Sequence, residues 1–504
     1  MAKRVKKPIA EMEGDTEAQD DEGTDAKNAR KPSQAVVIVH GMGEQRPMGT
    51  IRGFAEAVWS KDPSLTEGFY GRRKPDPDKP GPDRSTWINK SWIHPDERAK
   101  SQELRRITTP YDIHGRRTDF FELYWADVTQ GTTLERLKAW IWELLFRKWS
   151  DVPRDARKLY IAAWTVVVLI FAPTVALTLM KSLGLEVLIW PGWVWTVAAT
   201  LITAFVTAFL VPYFGDVAIY VQAAPGTVAK RRDARARGLD LLRGLIDDNR
   251  YDRIVLVGHS LGTILAYDLL QILWTEYGPG PSNSRQEPDV LAAFKAVGTK
   301  ALPIDSKERA KTRMEAAELA EFREMQWRCY ALLRDRPTKQ TRPWKISDFV
   351  TLGSPLTHAE FLVTRNAADF SKAVDERLLA TCPPVSETKE PSILYGGRGN
   401  PQHPHHAAVF AATRWTNIYD KDRGWSGGWL TGDPISGPLT ENFGPGIENV
   451  QIKLKWSLGR VFTHTQYWSL KAEGKELLKS GLPGERSHLD VLRDAVDLGR
   501  KLES

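Results

Sequence analysis

Short apolar runs alternate with helical patterns along most of the chain. The run AVVIV begins at Ala35 and leads into a glycine turn, which is typical of a buried parallel strand. Further strands are predicted in DFFELYWADV, RIVLV, DFVTLGS, RWTNIYD and VQIKLKW. Helical periodicity lies between several of these runs, as in ARARGLDLLRGLIDD and GTILAYDLLQILW. This alternation predicts an α/β fold, in which helices cover a mainly parallel sheet.

Two long apolar segments interrupt the alternation. Residues 159–180 and 187–214 contain no charged side chain, and about 20 helical residues are enough to cross a bilayer core of roughly 30 Å. Because the linker KSLGLE is short, residues 159–214 predict a transmembrane hairpin. The leucines and tryptophans of residues 132–158 predict an amphipathic helix at the membrane interface. A core-facing helix and a buried soluble hairpin are the alternative interpretations.

Basic residues flank both ends of the predicted hairpin, whereas its turn contains one lysine and one glutamate. Because basic residues stay on the cytoplasmic side, we expect a multi-pass membrane protein with both termini and its soluble parts in the cytoplasm. The net charge of +7 then indicates contact with anionic headgroups, so membrane lipids are an expected partner. No basic face with base-reading or stacking residues is evident, and nucleic acid is not expected.

These patterns divide the chain into consecutive parts. The amino-terminal part is rich in charge and poor in large apolar residues, so it cannot bury enough surface to offset its ordering entropy. The predicted parts are a disordered tail at 1–33, the first part of the α/β domain at 34–131, the interfacial helix at 132–158, the hairpin at 159–214, and the main part of the α/β domain at 215–504 with a polar helical insertion at about 278–345.

The turn after RIVLV carries candidate chemistry. Gly258-His259-Ser260-Leu261-Gly262 matches Gly-X-Ser-X-Gly, a strand-to-helix turn that exposes a serine nucleophile. The amino end of the following helix supplies backbone N–H groups for a developing oxyanion. A strand before the motif and an amphipathic helix after it are the context that it requires. We therefore predict that Ser260 is a catalytic nucleophile, with a structural turn serine as the alternative.

Three stretches resemble the α/β-hydrolase superfamily, and within it lipase- and esterase-like serine hydrolases: VVIVHGMGEQ, VLVGHSLGT and FVTLGSPLTHAEF. The resemblance covers roughly residues 35–58 and 216–470, with the hairpin and the polar insertion as additions. It implies an α/β-hydrolase fold and a triad in the chain order serine, acid, histidine. It also implies that the HGMG loop supplies one oxyanion N–H, assigned to Met42 with Gly43 as the near alternative, and that Leu261 supplies the second.

The triad order places the base beyond the last strand, where VFTHTQYW contains His464. His40 is expected to restrain the HGMG loop, and His259 to point away from the position of a base. The rival histidines are His358, His403, His405, His406 and His488. The cluster HPHH contains three of these rivals, but carboxylates at ligand spacing do not accompany it. We therefore predict neither a metal nor a cofactor.

The acid is the least determined member of the triad. Asp433 begins DPISGPL, which resembles the acid-bearing turn of α/β-hydrolase relatives, and it is the assigned acid. Asp420 and Asp422 follow the strand RWTNIYD more closely and remain open alternatives. The intervening loop KDRGWSGGWLTG departs from the compact family pattern, so the resemblance does not decide between the three.

The sequence as a whole predicts a membrane-anchored serine hydrolase that cleaves an ester bond through an acyl-enzyme. Ester or lipid-like small molecules are the expected substrates, because the hairpin would place the domain on the bilayer. An acyltransferase and a non-catalytic interaction module on a hydrolase scaffold are the alternatives.

Overall fold

The structure is a computed structural model of all 504 residues. It describes residues 32–41, 46–66, 89–96, 98, 104–129, 225–280, 287–336, 342–396, 401–421, 432–433, 435–455, 463–478 and 483–502, together with scattered single residues between 146 and 200. By its internal contacts the chain divides into two units, Met1–Lys31 and Pro32–Ser504. The first unit, and with it nearly all of the predicted tail at 1–33, lies outside the described residues.

Ten of the described strands form one sheet within Pro32–Ser504. The strands in chain order are β1 Ser33–Val39, β2 Trp92–Pro95, β3 Arg105–Thr108, β4 Arg117–Leu123, β5 Arg253–His259, β6 Ile346–Leu352, β7 Leu394–Tyr395, β8 His403–Pro404, β9 Arg414–Tyr419, β10 Glu448–Leu454, β11 Gly474–Leu477 and β12 Pro483–Ser487. Strands β7 and β8 pair with each other in a separate small sheet.

The spatial order of the large sheet is β12-β11-β10-β9-β6-β5-β1-β4-β3-β2. The six central strands from β10 to β4 are parallel, and the outer strands on both sides are antiparallel. This confirms the predicted α/β class with a mainly parallel sheet. The chain passes from β1 to β4 on one side of β1 and then to β5 on the other, so a crevice is expected at the carboxyl ends of β1 and β5.

The central strands β1 and β5 contain apolar runs because both faces of these strands are buried. In β5, Ile254 and Leu256 belong to one hydrophobic cluster, whereas Val255 and Val257 belong to another. Leu265 of the following helix lies in the first cluster, and Phe54 lies in the second. Helices therefore cover both faces of the sheet.

The described helices are named in chain order. They are α1 Gly49–Ala55, α2 Ala126–Thr129, α3 Pro225–Ile246, α4 Gly262–Tyr277, α5 Pro288–Gly298, α6 Ser306–Arg309, α7 Ala316–Arg334, α8 Ala359–Leu362, α9 Ala367–Asp375, α10 Thr440–Phe443 and α11 His488–Val496, with a π-helical turn at Glu56–Ser60 and 3₁₀ turns at Pro63–Leu65, Pro355–His358 and Val409–Ala411.

A buried ion pair fixes the amino end of β5, the strand that leads to Ser260. Arg253 is fully buried and donates to Asp348 at 2.7 Å. The same guanidinium donates to the carbonyl oxygens of Val496 and Asp497, so it also caps the carboxyl end of α11. Burial alone would raise the pKa of Asp348, but Arg414 and Arg253 lower it well below its usual range.

The helices within the predicted insertion at 278–345 pack onto the sheet. Phe322 and Trp327 of α7 belong to the larger hydrophobic cluster. Tyr330 donates to the carbonyl oxygen of Asp252, directly before β5, at 2.7 Å, and Arg323 donates to the carbonyl oxygen of Trp415 in β9 at 3.1 Å. These contacts lie at the amino ends of the strands, whereas Ser260 lies at the carboxyl end of β5.

The predicted multi-pass membrane localisation with cytoplasmic termini is corrected by the helices that the structure describes. None of them is long and apolar enough to cross a membrane. A bilayer core requires about 20 mostly apolar residues, and the longest described helices, α3 with 22 residues and α7 with 19, carry many charged side chains. The segments at 132–158 and 159–214, on which the prediction depended, lie largely outside the described residues.

Candidate active site

Ser260 occupies a strained turn between β5 and α4. Its φ is +54°, a left-handed conformation that is unfavourable for a residue with a side chain. Hydrogen bonds stabilise the turn on both sides. Ser260 N–H donates to the carbonyl oxygen of Leu352 in β6 at 3.0 Å, and the Thr263 hydroxyl donates to the carbonyl oxygen of Ser260 at 2.7 Å. The serine is therefore presented in one backbone conformation at the carboxyl edge of the sheet.

The glycines of the motif allow α4 to approach the strands closely. A Cβ atom on Gly258 would lie 2.7 Å from Thr263 Cα, and one on Gly262 would collide with the carbonyl oxygens of Val39 and His40. A Cβ atom on Gly41 would lie 2.6 Å from Ser260 Cβ. Since none of these contacts leaves room for a side chain, glycine is required where the end of β1 meets the serine turn.

His40 restrains the chain as it leaves β1. Its Nδ1 lies 2.8 Å from the carbonyl oxygen of Gly41, and its Nε2 accepts from Trp125 N–H at 3.0 Å. The Trp125 indole N–H donates to the carbonyl oxygen of His40 at 3.0 Å. Burial lowers the pKa of His40 to about 4, so the ring is neutral, with Nδ1 protonated. These contacts agree with the expected structural role of His40.

One of the two predicted oxyanion donors falls within the described residues. Leu261 directly precedes α4, a helix of 16 residues. Among the residues that the structure describes, Leu261 N–H donates no hydrogen bond, and it lies at the positive end of the helix dipole. Met42 and its alternative Gly43 lie outside the described residues, although Gly41 before them is adjacent to Ser260.

The predicted base and acid are hydrogen-bonded to each other. His464 Nδ1 lies 2.8 Å from Asp433 Oδ2, and Asp433 is fully buried. The other carboxylate oxygen, Oδ1, accepts from Ile435 N–H at 3.1 Å. Burial raises the pKa of Asp433, but the charge of His464 and the hydrogen bonds to the carboxylate outweigh it, so the net pKa is lower than usual. Asp433 therefore remains an ionised acceptor for His464.

His259 connects the serine turn to this pair. Its Nε2 lies 2.7 Å from the carbonyl oxygen of His464, and the two rings are 5.0 Å apart. Burial, and then the charge of His464, lower the pKa of His259 to about 3. The ring is therefore neutral and donates from Nε2. The contact connects the residue before Ser260 to the backbone of the base.

The acid and the base lie at the same edge of the sheet as the serine. Gly353 follows Leu352, which accepts from Ser260 N–H, and a Cβ atom on Gly353 would lie 2.9 Å from Asp433 Oδ2. His464 Nε2 is buried and has no hydrogen-bond partner among the described residues. The structure thus brings His464 and Asp433 into contact and connects them to the serine turn through His259, whereas Ser260 and His464 Nε2 are not hydrogen-bonded to each other.

The alternative acids have other positions. Asp420 Oδ2 accepts from Leu454 N–H at 3.4 Å, and the carbonyl oxygen of Asp420 accepts from Asp433 N–H at 2.8 Å. Asp420 therefore supports the backbone of Asp433, while Asp433 contacts the imidazole. Asp422 lies outside the described residues.

Four of the five rival histidines contact backbone carbonyl groups. His405 Nε2 lies 2.9 Å from the carbonyl oxygen of Val385, and His488 Nε2 lies 3.2 Å from that of Ser469. The corresponding distances are 3.2 Å from His406 Nε2 to Arg377 and 3.1 Å from His403 Nδ1 to Pro404. His358 is buried at the end of a 3₁₀ turn. Within the described part of the chain, no group of three side chains is arranged to ligate a metal.

Two contacts at this site were not predicted from the sequence. Tyr467 donates to Asp433 Oδ2 at 2.7 Å, and Thr263 shares a 2.8 Å hydrogen bond with the Ser354 hydroxyl beneath the serine turn. The spacing of Tyr467, three residues after His464, was the only available signal, since it places the phenol near the base. No pattern along the sequence indicates that its hydroxyl reaches the acid.

Comparison of the chain with protein-family models, with curated proteins and with solved structures gives no match. The protein belongs by its own structure to the α/β class, since its described strands form a mostly parallel, ten-stranded mixed sheet with helices on both faces.

Proposed function

We propose that this protein is an α/β-hydrolase that cleaves an ester bond, with Ser260 as nucleophile, His464 as general base and Asp433 as its carboxylate partner. The 2.8 Å hydrogen bond between His464 and Asp433, at the sheet edge that presents Ser260, is the observation that carries the proposal. A buried carboxylate that orients an imidazole beside a strained turn serine is an arrangement that activates a hydroxyl group.

In the proposed reaction, the Ser260 oxygen attacks the acyl carbonyl carbon while His464 Nε2 takes the hydroxyl proton. Because Asp433 accepts from Nδ1–H, the ring is held in the tautomer with a basic Nε2. The carbonyl oxygen becomes an oxyanion, for which Leu261 N–H is one donor. The alcohol leaves with the proton from His464. Water then attacks the acyl-enzyme while the same base accepts its proton, and the bond to the Ser260 oxygen breaks as that proton returns to it and the carboxylic acid is released.

The charge of Asp433 supports the proposed role of His464. When His464 takes the serine proton it becomes an imidazolium, which an ionised carboxylate at 2.8 Å stabilises. The low pKa of Asp433 means that this carboxylate is charged at neutral pH in spite of its burial. The neutral His259 adds no opposing charge, since its pKa of about 3 keeps it deprotonated.

The ester substrate is proposed from the resemblance to lipase- and esterase-like enzymes. An acyltransferase would share the acylation of Ser260 and differ only in the acceptor of the acyl group. We propose that water is the acceptor. Released carboxylic acid, measured in the presence and absence of a competing alcohol, distinguishes hydrolysis from acyl transfer.

Labelling with a fluorophosphonate probe tests the nucleophile. We expect the purified full-length protein to become labelled on Ser260, as located by peptide mass spectrometry, because the probe reacts with activated serines. Ser260→Ala should abolish labelling. Ser371→Ala, on α9, where the hydroxyl accepts from Arg309 at 3.4 Å, is the matched control and should label like the wild type. If folded wild-type protein is not labelled, or is labelled equally after Ser260→Ala, the proposed function is wrong.

A further inference from the structure

Tyr467 shares one carboxylate oxygen with the proposed base. Its hydroxyl donates to Asp433 Oδ2 at 2.7 Å, and His464 Nδ1 lies 2.8 Å from the same oxygen. The phenol oxygen also accepts from Asp420 N–H at 3.2 Å and lies 3.1 Å from the Ser436 hydroxyl. Tyr467 therefore joins the end of β9 to the turn that carries the acid.

The backbone beside the serine turn fixes the ring of Tyr467. The side chain is 1% exposed, and Gly353 has a φ of +57° that leaves space for it. A Cβ atom on Gly353 would lie only 2.7 Å from Tyr467 Cε2. Since Leu352, the residue before Gly353, accepts from Ser260 N–H, the phenol is packed against the strand end that also supports the nucleophile.

Tyr467 is suited to donate a hydrogen bond and not to transfer a proton. Burial, and then the charge of Asp433, raise the pKa of Tyr467 well above its ordinary value, so its hydroxyl stays protonated. Asp433 is fully buried and accepts from His464, Tyr467 and Ile435 N–H. Removing one of these donors would leave part of a buried charge uncompensated and would free one side of the carboxylate.

We propose that Tyr467 is a positioning residue that acts through Asp433, by holding the carboxylate oriented and ionised for His464. This inference rests on the proposed function, since it concerns the same reaction. Tyr467 does not touch the reacting atoms. Its loss should therefore slow the step in which His464 gains a proton and leave substrate binding unchanged.

The test is Tyr467→Phe, with Tyr251→Phe as the matched control. Tyr251 is equally buried, at 1% exposed, and its hydroxyl donates to another carboxylate, that of Asp119, at 2.6 Å. Both variants lose a buried tyrosine–carboxylate hydrogen bond, so both should lower the melting temperature. With p-nitrophenyl butyrate, we expect Tyr467→Phe to lower kcat about tenfold with KM unchanged. Tyr251→Phe should leave both constants unchanged.

A double substitution tests whether Tyr467 acts through the acid. In an Asp433→Asn background, Tyr467→Phe should change the rate of fluorophosphonate labelling less than about twofold, because two residues of one network are not additive. If Tyr467→Phe does not fold, difluorotyrosine at position 467 keeps the ring and changes the acidity of its hydroxyl. It should then change kcat, whereas difluorotyrosine at position 251 should not.

The outcomes separate the two proposals. If wild-type protein shows no turnover that depends on Ser260, the proposed function and the role of Tyr467 both fall. If wild-type turnover depends on Ser260 but Tyr467→Phe behaves like Tyr251→Phe, only the role of Tyr467 is overturned. A full additional loss from Tyr467→Phe in the Asp433→Asn background, or unchanged kcat with difluorotyrosine at 467, also overturns it.

Discussion

Asp433→Asn should place the proton of His464 on the wrong nitrogen. Ile435 N–H donates to Oδ1 of the carboxylate, and a backbone N–H has no means of accepting a hydrogen bond. The amide oxygen of the new side chain is therefore expected to face Ile435, and the Tyr467 hydroxyl, which donates to Oδ2 in the wild type, is expected to turn toward the Ser436 hydroxyl. The NH₂ group of the amide then takes the place of Oδ2, which lies 2.8 Å from His464 Nδ1. Nδ1 must accept, the ring proton moves to Nε2, and His464 is unable to deprotonate Ser260.

The expected effect on the rate is large because the whole population adopts the inactive tautomer. A carboxylate-to-amide change in a serine–histidine–aspartate triad lowers kcat by about 10⁴, which corresponds to about 5 kcal/mol of activation free energy. The volume of the side chain is almost unchanged, so KM should change little, whereas loss of the ionised acceptor should lower the melting temperature, because folding holds the pKa of Asp433 below its usual value. The loss should therefore appear in kcat and in the rate of fluorophosphonate labelling.

Asp420→Asn is the matched control for this measurement. Asp420 is also buried, but its Oδ2 accepts from Leu454 N–H at 3.4 Å, and it contacts Asp433 through its backbone carbonyl oxygen. We expect its kcat to fall no more than about tenfold, because the substitution keeps the backbone carbonyl oxygen of residue 420, which accepts from Asp433 N–H. The measurement is kcat for hydrolysis of p-nitrophenyl butyrate by both variants. Thermal melts verify that both variants fold. Nearly full activity in Asp433→Asn, together with a large loss in Asp420→Asn, would refute the reasoning.

Two further predictions concern stability. Gly115→Ala should cost about 1–2 kcal/mol in a urea titration through backbone strain alone, since Gly115 has a φ of +71° and open space around it. Gly353→Ala should cost more, because its Cβ atom also collides with Tyr467; equal losses would contradict this. Burial raises the pKa of Glu122 from 4.5 to about 7, so the folded state loses stability as pH rises between these values. Glu122→Gln should therefore raise the unfolding temperature at pH 8 but not at pH 4, and the gain in unfolding free energy at pH 8 should be at most about 3 kcal/mol. Glu56→Gln, at an exposed position, is the control. Equal gains at both pH values would be inconsistent with this account.

Apolar runs predicted the central strands because their signal is local. A strand buried on both faces is mostly apolar, as the run before Ser260 is at Val255, Leu256 and Val257. The alternation of such runs with helical periodicity was enough to predict a mainly parallel α/β sheet. The same reliance on hydropathy led to the membrane localisation, which the described helices contradict.

Turn chemistry is also local, and it singled out Ser260. A serine between two glycines, preceded by a strand and followed by a helix, already specifies a tight strand-to-helix turn. The sequence did not contain the reason for each glycine. Gly262 is required by the carbonyl oxygens of Val39 and His40, which come from a strand more than two hundred residues earlier and become neighbours only when β1 pairs with β5.

The sequence by itself therefore determined the six central strands, the serine turn and a short set of candidate acids and bases, and it did not predict the outer strands of the sheet. Tertiary structure alone decided which of them meet. His464 and Asp433 are 31 positions apart, and His259 and His464 are 205 apart. Contacts at such separations depend on strand order and on the path of each loop, which no pattern of adjacent residues encodes. Periodicity reports how one segment is buried, whereas a site at a sheet edge is assembled from the ends of several segments.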